Sequence, residues 1–159
     1  NYDDLREFYL GLSRFYRKVV HKPHPSYTHF KAIYDLSQSH DFSKFFVVKD
    51  KLGNLVGGIC CIFFNNISYE YYIFSERLKN MYPSEFLIWK TIEWCKENKI
   101  STFDLMGAGK PNEDYGVREF KKGFSPLFSN FGRLKKIHRL KTYNFVFSQI
   151  EIMKKIRGK

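Results

Sequence analysis

The sequence predicts one α+β domain, a mixed and mainly antiparallel sheet with flanking helices. Three observations carry this. Apolar residues recur at helical spacing near the start, at Leu5, Phe8, Leu12 and Phe15. Residues 44–75 are dense in β-branched and aromatic side chains broken by short turn signals. A second helical stripe after Pro83 runs almost directly into a strand that ends on Asp104. With 159 residues, 43% of them apolar and 19% aromatic, the chain can bury one core and is too short for two ordinary domains. It opens on Asn rather than Met, which suggests an expression scar or a larger parent chain ahead of Asn1.

The first helix is read from "DDLREFYLGLSRFYRKVV", where acids occupy the first turn and favour the positive end of the helix dipole. "KPHP" breaks the chain, Ser26 is placed to cap, and "YTHFKAIYDLSQ" repeats the spacing as a second helix. The segments "KFFVVKD", "NLVGGICCIFF" and "ISYEYYIFS", parted by "KLG" and "NN", read as an antiparallel meander. Gly57 and Gly58 inside the middle strand mark a bulge or a close backbone approach. In "SEFLIWKTIEWCKEN" the residues Leu87, Ile88, Thr91, Ile92 and Cys95 share one helical face, and "ISTFDLMG" follows as a strand. A strand, helix and strand in that order put the last strand parallel to and beside the meander. Beyond it, "NFGRLKKIHRL" alternates as another strand does, and a helix over 144–157 closes the chain with a wide apolar face.

Charge bounds the partners. Lys and Arg number 27 against 16 Asp and Glu, a formal +11, which favours polyanions such as RNA, phosphorylated lipid carriers or an anionic membrane face. "RLKKIHRLK" (133–141) and "KKIRGK" (154–159) concentrate that charge. No apolar run approaches the ~20 residues that span a bilayer, so no transmembrane segment is expected. Three cysteines, two of them adjacent at Cys60 and Cys61, argue against a disulfide framework. The expected setting is a reducing cytoplasm, with peripheral contact at the inner membrane face open.

The loop "FDLMGAGKPNEDYGVREFKKGF" (103–124) invites comparison with phosphate-binding loops, and fails it. Asp104 stands where a nucleotide P-loop has its first glycine, and Pro111 follows Gly109-Lys110 where a hydroxyl should hold magnesium. The dinucleotide fingerprint lacks its third glycine. His21, His24 and His29 in "HKPHPSYTH" have no carboxylate or cysteine beside them and read as exposed turn histidines, so no metal is expected. No Gly-x-Ser-x-Gly elbow is present, and the cysteines read as core.

The order of meander, "PSEFLIWKTIEWCKENKISTFDLMGAG" and then "GVREFKKGF" resembles the GNAT-like domain of the Fem family of peptidoglycan aminoacyltransferases. The likeness runs from the first helix to about residue 140, and Phe120-Lys121 with Gly123-Phe124 is its most specific part. It implies a GNAT-like fold over 1–159, standing alone or as the second domain of a two-domain protein. It further implies a bacterial enzyme that transfers an aminoacyl group from charged tRNA to an amine of a cell-wall precursor, without a cofactor. Amine attack on an activated ester asks for positioning, proton removal and oxyanion stabilisation, not for a protein nucleophile.

By the same resemblance Lys121 is a cation near the tetrahedral oxygen or the donor phosphates, and Phe120 a face for the terminal adenine or ribose. Asp104 is a site residue or a cap for its own loop, and Tyr115 an acid or donor. Arg118, Lys122 and Gly107 complete the substrate-binding set. Read without the family, Phe120 and Phe124 are core residues and Lys121 is a solvated charge. An acyl-CoA donor is the alternative, serving an N-acetyltransferase of amino sugars, amino acids or lipid-linked glycans. It is disfavoured because "SERLKNMYPSEF" has no glycine where CoA pyrophosphate meets a helix start. A third reading is a non-enzymatic basic binding module whose terminal helix contacts a membrane or a partner.

Overall fold

The computed structural model describes residues 1–110, 112–132 and 134–156, with the side chain of Lys154 also outside the description. Pro111, Arg133 and residues 157–159 of the basic runs therefore lie outside the described residues. The chain forms two compact units, Asn1–Gly109 and Lys110–Lys159.

In the first unit the order is α1 (Tyr2–Phe15), α2 (Tyr27–Ser37), β1 (Ser43–Lys49), β2 (Leu55–Phe64), β3 (Ile67–Ser75), α3 (Pro83–Glu97) and β4 (Thr102–Asp104). The side chain of Asn1 caps α1 by accepting the N–H groups of Asp3 and Asp4 at 2.9 and 3.0 Å. One wider turn of π type, Tyr16–Val20, ends α1, and His21 closes it with φ 54. Ser26 starts α2 through its carbonyl, which accepts from His29 and Phe30, and not through the expected side-chain cap.

The four strands lie in the order β1-β2-β3-β4, antiparallel except for β4, which runs parallel to β3 as the crossover through α3 requires. One face packs α1 and α2 around Leu5, Phe8, Leu12, Phe30, Ile33, Cys60 and Phe74. The other packs α3 against Ile59 and Cys61 through Leu87. The adjacent cysteines thus face opposite ways, as strand alternation dictates.

The phenyl ring of Phe74 lies between two glycines. A Cβ on Gly11 of α1 would meet its Cε2 and Cζ at 2.5 Å, and a Cβ on Gly58 of β2 would meet its Cε1 at 2.9 Å and Phe8 Cδ2 at 2.7 Å. Close approach therefore explains Gly58. A bulge is present too, one residue before Gly57: Val48 pairs with Gly57 and Lys49 with Leu55, leaving Val56 unpaired.

The second unit holds α4 (Gly116–Lys122) and α5 (Leu140–Ile156). The strand expected from "NFGRLKKIHRL" does not form. Of its described residues, 130–132 and 134–139 are irregular and exposed, because alternation alone makes no strand without a neighbouring edge to share hydrogen bonds. The closing helix begins at Leu140, four residues ahead of its expected start at residue 144.

Gly11→Ala and Gly58→Ala are each expected to lose about 1–3 kcal/mol in urea unfolding, the usual cost of overpacking, although alanine favours a helix by about 1 kcal/mol at position 11. Combining Gly11→Ala with Phe74→Leu should cost less than the sum of the single changes, which a double-mutant cycle measures.

Candidate active site

β3 and β4 stay paired for three residues only, Ile67 with Thr102, Ser68 with Phe103 and Tyr69 with Asp104. Beyond Tyr69, β3 runs on to Ser75 while β4 ends, and no strand among the described residues lies along that edge. The result is a fork whose base is Tyr69 and Asp104 and whose long arm is a strand edge.

A bulge sits at the same place. Cys60 of β2 opposes Tyr72 and Cys61 opposes Glu70, so Tyr71 is the extra residue. Tyr71 and Tyr72 consequently both pack on the α1/α2 face, their rings edge to face at 4.8 Å. Glu70 shares the α3 face with its partner Cys61. It is 8% exposed, a carboxylate buried at the base of the fork.

The tyrosines extend into a cluster of rings. The Tyr71 hydroxyl is 2.9 Å from His29 Nε2, and the His24 ring lies edge-on to Tyr9 and Tyr16 at 5.6 and 5.3 Å. His24 is thus packed and partly buried, which corrects its reading as an exposed turn histidine; His21 is exposed as expected. Packing among rings is available to it because the π turn brings Tyr16 back beside the start of α2.

Asp104 holds its own loop. Its Oδ1 accepts the Met106 N–H at 2.6 Å, and Met106 (φ 61) and Gly109 (φ 74) take left-handed conformations as the chain turns. Gly107 needs no glycine for φ, and a Cβ there would meet nothing within 4 Å. Asp104 and Glu70 occupy opposite faces of the sheet, since Asp104 pairs with Tyr69, one residue before Glu70.

In the second unit, Tyr115 precedes α4 and gives its carbonyl, not its exposed side chain, to the Arg118 and Glu119 N–H groups. Arg118 donates to the Glu113 carbonyl at 2.9 Å and to the Lys110 carbonyl. Lys122 pairs with Glu119 at 2.7 Å on the surface. Phe120 meets Phe124 edge to face at 5.6 Å. Lys121 is 5% exposed, so its reading as a solvated charge fails.

Burial pushes the thiols of Cys60, Cys61 and Cys95 up, and each stays protonated near neutral pH. None offers a thiolate nucleophile. Glu70 was missed by the sequence reading, although it is the single charge inside "ISYEYYIFS" and that isolation was the available signal.

No curated protein matches the sequence. Among solved structures the fold is similar to a ribosomal-protein-alanine N-acetyltransferase of Brucella melitensis biovar Abortus, with TM-score 0.61 and 13% identity over 85% of this chain and 94% of that one. It is similar to an acetyltransferase of the GNAT family from Staphylococcus aureus, with TM-score 0.59 and 17% identity over 86% and 90%. It is also similar to AAC(6')-Iy in complex with a CoA-containing bisubstrate analogue, with TM-score 0.56 and 12% identity over 86% and 92%. The profile of the acetyltransferase (GNAT) domain family matches residues 2–122 of the 159. The chain therefore belongs to the acetyltransferase (GNAT) domain family and is an acyltransferase with that family's fold.

Proposed function

We propose that the chain takes an acyl group from an acyl-CoA thioester and passes it to a primary amine. The observation that carries this reading is the fork, with its strand edge beyond Tyr69 and Glu70 buried at its base. An extended, amide-bearing pantetheine arm adds to a strand edge as a further strand does, by main-chain hydrogen bonds. The bisubstrate analogue bound by AAC(6')-Iy contains CoA, which supports the same donor class.

In this reading Glu70 accepts the proton of the attacking amine, directly or through one water. The nitrogen forms a bond to the thioester carbonyl carbon, the carbon–sulfur bond breaks, and the CoA sulfur leaves as a thiolate that is protonated in turn. Backbone N–H groups on the β3 edge suit the carbonyl oxygen as charge develops on it. The protonated, buried cysteines favour direct transfer over a covalent enzyme intermediate. The amine acceptors of this reading are amino sugars, amino acids or lipid-linked glycans.

A second reading, transfer from charged tRNA to a cell-wall precursor as the Fem resemblance implies, is favoured by one feature. The turn before α3 contains no glycine, Pro83 at the helix start has no N–H, and Glu85 places an acid in the first turn. A helix start of that kind receives a pyrophosphate poorly. Under this reading Phe120 and Lys121 line the donor channel.

Mass spectrometry of reactions with acetyl-CoA and a panel of amines, run beside charged tRNA, separates the two. Acetylated amine is the expected product; saturable, salt-sensitive binding of charged tRNA with no acetyl-CoA binding would transfer the assignment to the second reading. Glu70→Gln is expected to lower kcat/KM about 10²–10⁴-fold while the Kd for acetyl-CoA moves little, which steady-state kinetics and calorimetry read together. Glu85→Gln should tighten acetyl-CoA by about two- to five-fold at low salt and leave S-acetylpantetheine unchanged, because only the former brings a pyrophosphate.

A further inference from the structure

We propose that α5 lies flat in the surface of an anionic lipid bilayer, its apolar side embedded and its basic residues at the headgroups. The helix runs from Leu140 to Ile156, and Leu140, Phe145, Val146, Phe147, Ile150, Ile152, Met153 and Ile156 are all exposed, Phe145 at 66% and Ile156 at 79%. At 100° per residue these positions span about two thirds of the circumference, an arc that also holds Thr142, Gln149 and, near one edge, Lys154, and the remaining arc carries Lys141, Asn144, Ser148, Glu151 and Lys155. Lys141 and Lys155 fall on the same side, about four turns apart. Most helical stability in proteins comes from packing of an apolar face rather than from propensity, so the apolar arc calls for a cover.

Charge and geometry choose the occupant. Glu151 is the one acid in the helix, whereas Lys141, Lys154 and Lys155 lie in it and Lys135, Lys136 and Arg139 lead into it. Lys135 folds back over the Tyr143 ring, 4.1 Å from its centroid, which keeps that charge beside the apolar arc. A second copy of the helix is a poor fit. A two-helix seam through Tyr143, Val146, Ile150 and Met153 would leave Phe145, Ile152 and Ile156 on the far side and still uncovered. A bilayer surface covers a wide arc and attracts the basic flank. No helix of the described residues is long and apolar enough to cross a membrane, so α5 lies on the surface rather than spanning it.

The test is co-sedimentation of the full chain with vesicles of phosphatidylcholine, with and without phosphatidylglycerol. Binding is expected only with phosphatidylglycerol and should weaken with salt. Two variants at exposed positions, checked for native circular dichroism, divide the contributions. Lys141→Gln with Lys155→Gln should weaken binding about 25-fold, at about five-fold per lysine. Phe145→Ser with Ile152→Ser should abolish it. Absence of binding to phosphatidylglycerol vesicles overturns the proposal. So does loss with the lysine variant alone, which identifies a general polyanion patch such as one for RNA. A lipid-independent dimer that Val146→Ser with Ile150→Ser dissociates makes a second copy the occupant and overturns it as well.

Discussion

Phe74 is held between Gly11 on α1 and Gly58 on β2, and the first unit is organised around that contact. Neither glycine can carry a Cβ without displacing an aromatic ring, so helix and sheet approach more closely here than ordinary side chains permit. Phe8 meets the same ring edge to face at 5.5 Å and continues to Phe30 and Phe45, so aromatic edges rather than aliphatic layers fill this face. A glycine inside a helix costs local stability. The close approach of α1 to the sheet explains why one is tolerated.

Fixing Phe74 against α1 also fixes the register of β3, and the bulge three residues earlier then has a consequence. The extra residue at Tyr71 turns two successive tyrosines onto the α1/α2 face and leaves Glu70 on the other. With Phe74 and Tyr72 held where they are, a regular strand would have put Tyr71 on the α3 side, losing the contact of its hydroxyl with His29, and would have turned Glu70 onto the α1/α2 face. The bulge lies where β4 stops pairing, so a buried carboxylate, an open strand edge and a tyrosine–histidine cluster meet around one short segment. The proposed transfer calls for an acyl donor aligned along a strand and a base near its reacting carbon, the roles proposed for the β3 edge and Glu70.

Polarity is distributed very differently in the second unit. Lys121 is buried within a seven-residue helix, whereas nearly every apolar residue of α5 is exposed. Burying an ammonium is expensive unless it is partnered, and exposing so wide and mainly apolar an arc is unusual on a soluble surface. Both are places where local sequence preference gives way to a larger arrangement, and such places concentrate function.

Periodicity determined the two leading helices, the meander and the helix after Pro83, because each rests on apolar spacing that has one low-energy way to be buried, and the crossover through that helix determined the parallel placement of β4. The opposite facing of Cys60 and Cys61 followed from strand alternation in the same way. Position in the site did not follow. Glu70 looks from its neighbours like a surface charge on an aromatic strand, and only the register with β2 reveals it as buried. Gly11 reads as a weak helical residue until the Phe74 ring is seen against it. The alternation of "NFGRLKKIHRL" suggested a strand that does not form, since a strand is a property of two chains and the sequence shows one. Resemblance singled out Lys121, and its place at the end of a strand singled out Asp104, but their environments, one buried and the other bonded to its own loop, were decided by tertiary structure. Burial depends on what lies beside a residue in space, and local spacing carries no record of that.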